Sequence, residues 1–89
     1  MAVLVTAEVP GQTEEGYDGM FAGLGPLVRE AKGFIMHMSH AVDGGWRVIE
    51  VWESQDDANQ FFAKNVHPNL PPGIKPKRKI LELHSLIRA

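Results

Sequence analysis

The sequence predicts an α+β fold in which two helices cover one face of a four-stranded antiparallel sheet. The predicted elements follow the order β-α-β-β-α-β, and Asp43-Gly44-Gly45 indicates a tight hairpin between the two middle strands. Residues 46–54 alternate as a strand and end at Ser54, a favourable helix-capping residue. These features are typical of a ferredoxin-like sandwich. The 89 residues form one domain, 1–89, close to the size at which a single core is marginal.

The composition excludes several classes of protein and site. The chain is 44% hydrophobic and 22% charged, and its net charge of −2 gives no general reason to bind nucleic acid or an anionic membrane. Because there is no cysteine, disulfides, thiolate zinc sites and cysteine nucleophiles are excluded. No apolar run is long enough to span a bilayer, and no signal-peptide pattern opens the chain. We therefore expect a cytoplasmic protein without nucleic-acid or membrane partners.

The first strand and first helix are predicted from two different periodicities. Residues 2–9 alternate and stop at Pro10-Gly11. Thr13 is then placed to cap a helix, since Glu14 and Glu15 fall in its positive first turn. One apolar stripe at helical spacing follows. Its members are Tyr17, Met20, Phe21, Leu24, Leu27 and Val28.

Glycines interrupt this helical pattern. Gly16, Gly19 and Gly23 fall together on the flank of the stripe. Each glycine costs a helix about 0.5–1 kcal/mol relative to alanine, so the helix depends on tertiary packing. We expect another backbone to approach the glycine flank closely, with room for a ligand as the alternative. Gly25-Pro26 should kink or restart the helix, and Gly33 should end it.

Residues 34–42 read as a second strand, with Phe34, Met36 and Met38 on one face and His37 on the other. The register remains open by one residue, which would exchange the two faces. In the third strand, Trp46, Val48, Glu50 and Trp52 share one face. Its other face is also apolar, so we expect a central strand with a layer packed on each side.

Ser54 caps the second helix, and the side chains of Ala58, Phe61, Phe62 and Asn65 lie along one side of it. Residues 66–76 form a proline-rich connection. The basic cluster of Lys75, Lys77, Arg78 and Lys79 is interpreted as a solvated loop and strand start, with an anion site as the alternative. Residues 80–87 are predicted as the last strand.

The expected oligomeric state follows from how many faces of the sheet the two helices can cover. Two helices can cover only one face of the sheet, yet the strands carry apolar side chains on both faces. The uncovered face needs a partner, and the simplest partner is a second copy related by a two-fold axis. We therefore expect a homodimer joined through the sheets.

At this point the chain resembles a known family. Gly33-Phe34-Ile35, the hairpin, and Glu50-Val51-Trp52-Glu53-Ser54 leading into an amphipathic helix resemble the antibiotic biosynthesis monooxygenases, which are dimeric α+β barrels. The resemblance implies a ligand pocket between the helices and the sheet of each subunit. Of the asparagine, tryptophan and tyrosine found in quinone-forming members, only Trp52 matches; Val48 and Ala58 occupy the other positions. Of the residues used by haem-degrading members, only His67 could match, so we expect no haem.

The candidate site residues are few. His37 and His67 are the candidate acid/base residues, since an imidazole can exchange a proton near neutral pH. A metal is not expected, because His37 and His40 face opposite sides of one strand. Tyr17 can orient an apolar ligand through its hydroxyl, although core packing explains it as well. The remaining candidates for the pocket wall are Trp52, Phe61 and Asn65, of which Trp52 is equally suited to anchor the core and Asn65 to cap a helix.

These observations favour a small enzyme that acts on an apolar, aromatic or polyketide-like molecule without metal, haem or other cofactor. The leading hypothesis is a cofactor-independent monooxygenase in which a histidine deprotonates the substrate and the anion reacts with oxygen. The first alternative is a polyketide cyclase or isomerase, which needs the same pocket and base but no oxygen. The second is a non-catalytic ligand-binding or accessory dimer.

Overall fold

The computed structural model describes residues 2–89 and has the predicted β-α-β-β-α-β order. Its elements are β1 (Val3–Pro10), α1 (Glu14–Arg29), β2 (Phe34–Val42), β3 (Gly45–Trp52), α2 (Gln55–Phe61) and β4 (Lys77–Glu82). The four strands form one sheet in the order β2-β3-β1-β4, and every neighbouring pair is antiparallel. The predicted ferredoxin-like sandwich is confirmed.

The core lies between the helices and the inner face of the sheet, which is the face that the helices cover. Alternate residues of β1 are buried there, and Trp52 at the end of β3 has no exposed surface. The buried cluster consists of Val3, Val5, Val28, Trp52 and Ala58. Burying an indole contributes about 5 kcal/mol of hydrophobic free energy before entropy costs, so Trp52 is the main anchor of this small core.

Both helices begin at the predicted capping residues. The Thr13 hydroxyl accepts from the backbone N–H of Gly16, and the Ser54 hydroxyl accepts from that of Asp57. Of the two outcomes expected at Gly25-Pro26, a kink or a restart, the restart does not occur, because α1 runs without interruption through Pro26 and ends at Arg29. Proline removes one helical hydrogen bond, but the burial of α1 side chains on either side of it holds the helix together.

The glycine flank of α1 does not pack against another backbone. Apart from the adjoining residues and the backbone of its own helix, a Cβ atom at Gly19 or Gly23 would meet nothing within 4 Å. A Cβ at Gly16 would collide with the side chain of Gln12 and would lie 3.2 Å from the Thr13 hydroxyl, so the nearest atoms there belong to side chains. The expectation that another backbone packs closely on this flank is therefore wrong, and Gly19 and Gly23 leave open space.

A β-bulge in β2 corrects the predicted alternation. Phe34 lies opposite Trp52 and Met36 opposite Val51, so Ile35 is an extra residue in the ladder. Phe34 therefore packs against the core, and its ring centroid lies 5.4 Å from that of Trp52. The prediction that Phe34 and Met36 share a face is wrong, because the extra residue shifts the alternation by one position.

The last strand also differs from its prediction. β4 spans Lys77–Glu82 rather than residues 80–87, because β1, its one neighbour within residues 2–89, begins at Val3 opposite Glu82. One further bond, from Leu83 N–H to the carbonyl of Ala2, ends the pairing. Part of the basic cluster is thus inside a strand, and Arg78, opposite Ala7, lies on the inner face.

The outer face of the sheet, opposite the helices, is partly apolar. Leu81 on β4 is 54% exposed and Met38 on β2 is 48% exposed. Between them lie Ile49 and Leu4, which are half-buried, and Val51, which is buried by its neighbours. Within residues 2–89, no helix is long and apolar enough to cross a membrane.

The segment after α2 closes one side of the sandwich. The chain continues from α2 into a π-helical turn, Phe62–Val66, and a 3-10 turn, His67–Asn69. Wide π-helical turns are rare and are found often at functional sites. This segment leads across the inner face to β4.

Two glycine substitutions should have opposite effects on stability. At Gly45, a Cβ would collide with the backbone carbonyl of Val9, so Gly45→Ala should lower the free energy of unfolding by about 1–3 kcal/mol. At Gly23 the space is open, so Gly23→Ala should raise it by about 0.5–1 kcal/mol. Urea denaturation of the two variants beside the parent checks both signs. A destabilised Gly23→Ala would contradict the open flank.

Candidate active site

A cavity of about 100 Å³ lies between the inner face of the sheet, α1 and the segment that follows α2. Its floor is the middle of the sheet, where Val5, Ala7 and Val48 present small side chains. Most of the wall is apolar. The polar side chains that line it are Gln12, Tyr17, His37, Trp46, Glu50 and Arg78. An apolar enclosure with a few converging polar groups is typical of a small-molecule site.

One side chain of α1 and three side chains of the inner face are linked by hydrogen bonds into one chain. The Tyr17 hydroxyl lies 2.6 Å from Nε2 of His37, and Nδ1 of His37 lies 2.7 Å from Oε2 of Glu50. The other carboxylate oxygen of Glu50 accepts a hydrogen bond of 3.0 Å from Nε1 of Trp52. The chain thus runs from α1 across β2 to β3, and ends on the buried anchor of the core.

The hydrogen-bonding groups themselves indicate which atom carries the proton in each of these contacts. The Trp52 indole can only donate, so Glu50 accepts from it, and an ionised Glu50 also accepts from Nδ1–H of His37. Nε2 of His37 is then free to accept from the Tyr17 hydroxyl. A carboxylate that orients a histidine, which in turn faces a hydroxyl, is the arrangement that activates a base.

Tyr17 keeps its proton in this environment. Burial raises the pKa of the Tyr17 phenol, and the negative charges of Glu50 and Asp18 act in the same direction, whereas the nearby Ser39 hydroxyl lowers it. The hydroxyl is therefore a proton donor toward His37 at neutral pH.

Arg78 brings a positive charge to the cavity from β4, which is the edge of the sheet opposite β2. Its guanidinium lies over the Phe62 ring, 4.2 Å from the centroid, and donates to Oδ1 of Asn59 at 3.1 Å. Burial lowers the pKa of Arg78, and the charge of Glu50 opposes this effect. Because guanidinium stays charged in proteins, the cavity contains a fixed cation.

Aromatic rings form the wall between α1 and the sheet. The Tyr17 ring stacks between Phe21 and Trp46, with centroids at 5.2 and 5.4 Å. Phe21 in turn lies 4.3 Å from the His37 ring. Offset stacking of this kind is favourable for planar groups, so the wall suits a planar ligand.

The structure brings together three of the six predicted site residues. His37, Tyr17 and Phe61 line the cavity, whereas Trp52, Asn65 and His67 do not. Trp52 lies beneath the site, because its ring fills the core and its N–H is held by Glu50. The other two belong to the turns after α2, where Asn65 donates to the carbonyl of Phe61 and His67 is exposed.

Sequence reasoning missed Glu50, Trp46 and Arg78 as site residues. The alternation of β3 already placed Glu50 on the face of the two tryptophans, and a carboxylate on such a face needs a partner. Arg78 was not distinguished from the rest of the basic cluster, because the lysines on both sides of it are exposed and the whole cluster was interpreted as solvated. Within residues 2–89, no three His, Asp or Glu side chains cluster as metal ligands would.

No family model and no curated protein matches this sequence. Two similar solved structures span almost the whole chain. SnoaB, a cofactor-independent oxygenase from Streptomyces nogalater, has a TM-score of 0.68 at 14% identity, over 99% of this chain and 98% of that one. MhuD, a heme-degrader from Mycobacterium tuberculosis, has a TM-score of 0.64 at 18% identity, over 99% and 100% of the two chains. At these identities the similarity establishes a common fold.

The Tyr17 phenol should titrate at high pH, and it can be followed alone because it is the only tyrosine. Its pKa in the native protein should exceed the ordinary value of about 10, which the urea-unfolded chain should show. Because the native state then holds the proton more tightly, the free energy of unfolding should fall as pH rises above about 10. Phenolate absorbance measures the first effect, and denaturation of Tyr17→Phe beside the parent isolates the second. A native pKa at or below the unfolded value would refute this description of the site.

Proposed function

We propose that this chain, which has the fold of the antibiotic biosynthesis monooxygenases, is a cofactor-independent oxygenase of a small planar aromatic molecule. The observation that carries the proposal is the hydrogen-bonded chain of Tyr17, His37 and Glu50 at the wall of an apolar cavity. A base of this kind, beside a fixed cation and aromatic rings, suits a substrate that ionises to a delocalised anion.

The first step is proton removal. A proton leaves an acidic C–H group of the substrate and reaches the Tyr17 oxygen as the Tyr17 proton moves to Nε2 of His37. The Glu50 carboxylate stabilises the imidazolium that forms. Arg78 contributes a positive charge that favours the substrate anion, and the mostly apolar wall strengthens the effect of this charge by screening it less than water does.

The second step consumes oxygen. The substrate carbanion reacts with O₂ to form a carbon–oxygen bond, and the resulting peroxide takes up the proton. When the peroxide loses water, the former CH₂ group becomes a carbonyl. The CH₂ group of the substrate supplies all the electrons that reduce O₂ to the carbonyl oxygen and water. The overall reaction therefore needs only the protein, the substrate and O₂.

Ligand entry requires the cavity to widen. Its volume of about 100 Å³ is smaller than the roughly 300 Å³ at which drug-sized ligand pockets begin. The segment with the π-helical turn contributes Phe62, Val66 and Leu70 to the wall and is joined to the sheet by a proline-rich connection. We infer that this segment moves outward when a fused-ring ligand binds.

The decisive experiment measures oxygen consumption with anthrone, whose acidic CH₂ group lies between two aromatic rings. His37→Gln and Tyr17→Phe should each lower kcat/KM about 10²- to 10⁴-fold, the usual contribution of a positioned base. His67→Gln is the matched control, because His67 is exposed and lies outside the cavity. Its kcat/KM should equal that of the parent.

The same experiment separates the alternatives. Conversion of a polyketide-like substrate without oxygen uptake, lost in His37→Gln, would indicate a cyclase or isomerase. Anthrone binding without any turnover would indicate a non-catalytic ligand-binding protein. If all three variants match the parent in oxygen consumption, the Tyr17–His37–Glu50 chain is not the base.

We also propose that the chain forms a homodimer through the outer face of the sheet. The support is the exposure of Leu81 and Met38 on that face, with further apolar side chains between them. Exposed apolar surface of this kind usually marks an interaction site. A second copy presents the same surface, so a two-fold axis covers both.

Sedimentation equilibrium checks the dimer. Leu81→Glu should shift the protein toward monomer, because the interface would then bury a carboxylate without a partner. Leu27→Glu is the control, since Leu27 on α1 is equally exposed, at 53% against 54%, and lies on the helical side. A parent protein that stays monomeric at micromolar concentration would contradict the proposal.

A further inference from the structure

We propose that the indole N–H of Trp46 is a ligand-binding group that takes an oxygen acceptor, a carbonyl or hydroxyl, carried on the ring system of the ligand. This inference rests on the proposed role of the cavity as a binding site for planar aromatic molecules. It is carried by one observation. Nε1 of Trp46 is buried and has no hydrogen-bond partner among residues 2–89.

The backbone fixes the position of Trp46. It is the second residue of β3, and the close approach of Gly45 to the carbonyl of Val9 holds this end of the strand against β1. Trp46 lies opposite Val9 on the inner face, and its ring is stacked on Tyr17 at an interplanar angle of 26°. The indole therefore belongs to the cavity wall, next to the hydroxyl that meets His37.

The two tryptophans of β3 make the contrast clear. Both lie on the inner face, and Trp52 donates its N–H to Glu50. Trp46 has no such partner, although buried polar groups in native proteins almost always have one. An indole nitrogen can only donate, so its missing partner is an acceptor.

No side chain of residues 2–89 is within hydrogen-bonding distance of this nitrogen. Gln12 also lines the cavity, but its amide oxygen accepts from the backbone N–H of Thr13 at 3.0 Å. Glu50 lies four residues further along β3, which is about 13 Å along a strand, and it is already shared between His37 and Trp52. The nearest cross-strand neighbours of Trp46 are Val9 and Ala41, which carry no polar side-chain atom. The acceptor therefore comes with the ligand.

The ligand gains contact with this N–H as it opens the cavity. In the closed site the nitrogen is covered by surrounding atoms, so water does not satisfy it. A planar ligand that separates the wall from the floor meets the indole edge. A ligand oxygen at this edge accepts a hydrogen bond from the Trp46 N–H, whereas a C–H group at the same place leaves the N–H unpaired. The buried N–H therefore favours ligands with an oxygen at this position over ligands without one. The bound oxygen also fixes which edge of the ligand faces Tyr17.

The test follows the indole N–H signals of the parent protein by NMR, in the absence of oxygen so that anthrone binds without being turned over. The chain has two tryptophans and so gives two such signals, which Trp46→Phe assigns. The probes are anthrone and dihydroanthracene, which share three fused rings and differ in the carbonyl oxygen. Anthrone should shift the Trp46 N–H proton downfield and leave that of Trp52 unmoved. Dihydroanthracene should perturb the Tyr17 ring without the downfield shift.

Affinities supply a second readout. The parent should bind anthrone about 3- to 10-fold more tightly than dihydroanthracene, the range expected for one net hydrogen bond. In Trp46→Phe, which keeps an aromatic wall, this preference should disappear. If the preference survives, or if both compounds move the Trp46 signal alike, the N–H is not a ligand donor while the proposed function stands. If neither compound binds the parent, both proposals are overturned.

Discussion

The carboxylate of Glu50 is the group on which the site depends. One of its oxygens holds the N–H of the fully buried Trp52, and the other holds the ring of His37. The orientation of the histidine is therefore fixed, through Glu50, by a fully buried side chain of the core and not by a loop. Glu50 also carries the negative charge that faces Arg78 across the floor of the cavity. Folding and site geometry are joined at this one residue, because loss of the carboxylate would leave a buried indole N–H and a histidine without their acceptor.

Much of the fold could be predicted because its signals are local. Thr13 and Ser54 cap the helices that they were expected to cap, and the alternation of β3 is the one observed. The failures came where a distant partner decides the outcome. β4 ends where β1 offers no further pairing, and α1 continues through Pro26 because burial on both sides outweighs one lost hydrogen bond.

The site was only partly predictable for the same reason. Tyr17 and His37 were candidates by residue type, yet their pairing joins residues twenty positions apart and depends on the packing of α1 over β2. Trp52 was expected at the pocket wall, but a residue that anchors a core this small is covered on all sides. Arg78 shows the opposite error. Its charge suggested solvent, whereas its strand position turns it inward over Phe62.

The extra residue in β2 has a consequence for comparing this chain with others. Phe34 and His37 are separated by an odd number of positions, yet both lie on the inner face, because Ile35 occupies no place of its own in the ladder. The face on which a side chain lies depends on its position in the strand ladder. After the bulge, the residues that share a face are therefore shifted by one position in the sequence. In an alignment with a relative whose second strand is regular, Ile35 should stand opposite a gap. An alignment without that gap would set His37 against an outward-facing residue and hide an equivalent histidine.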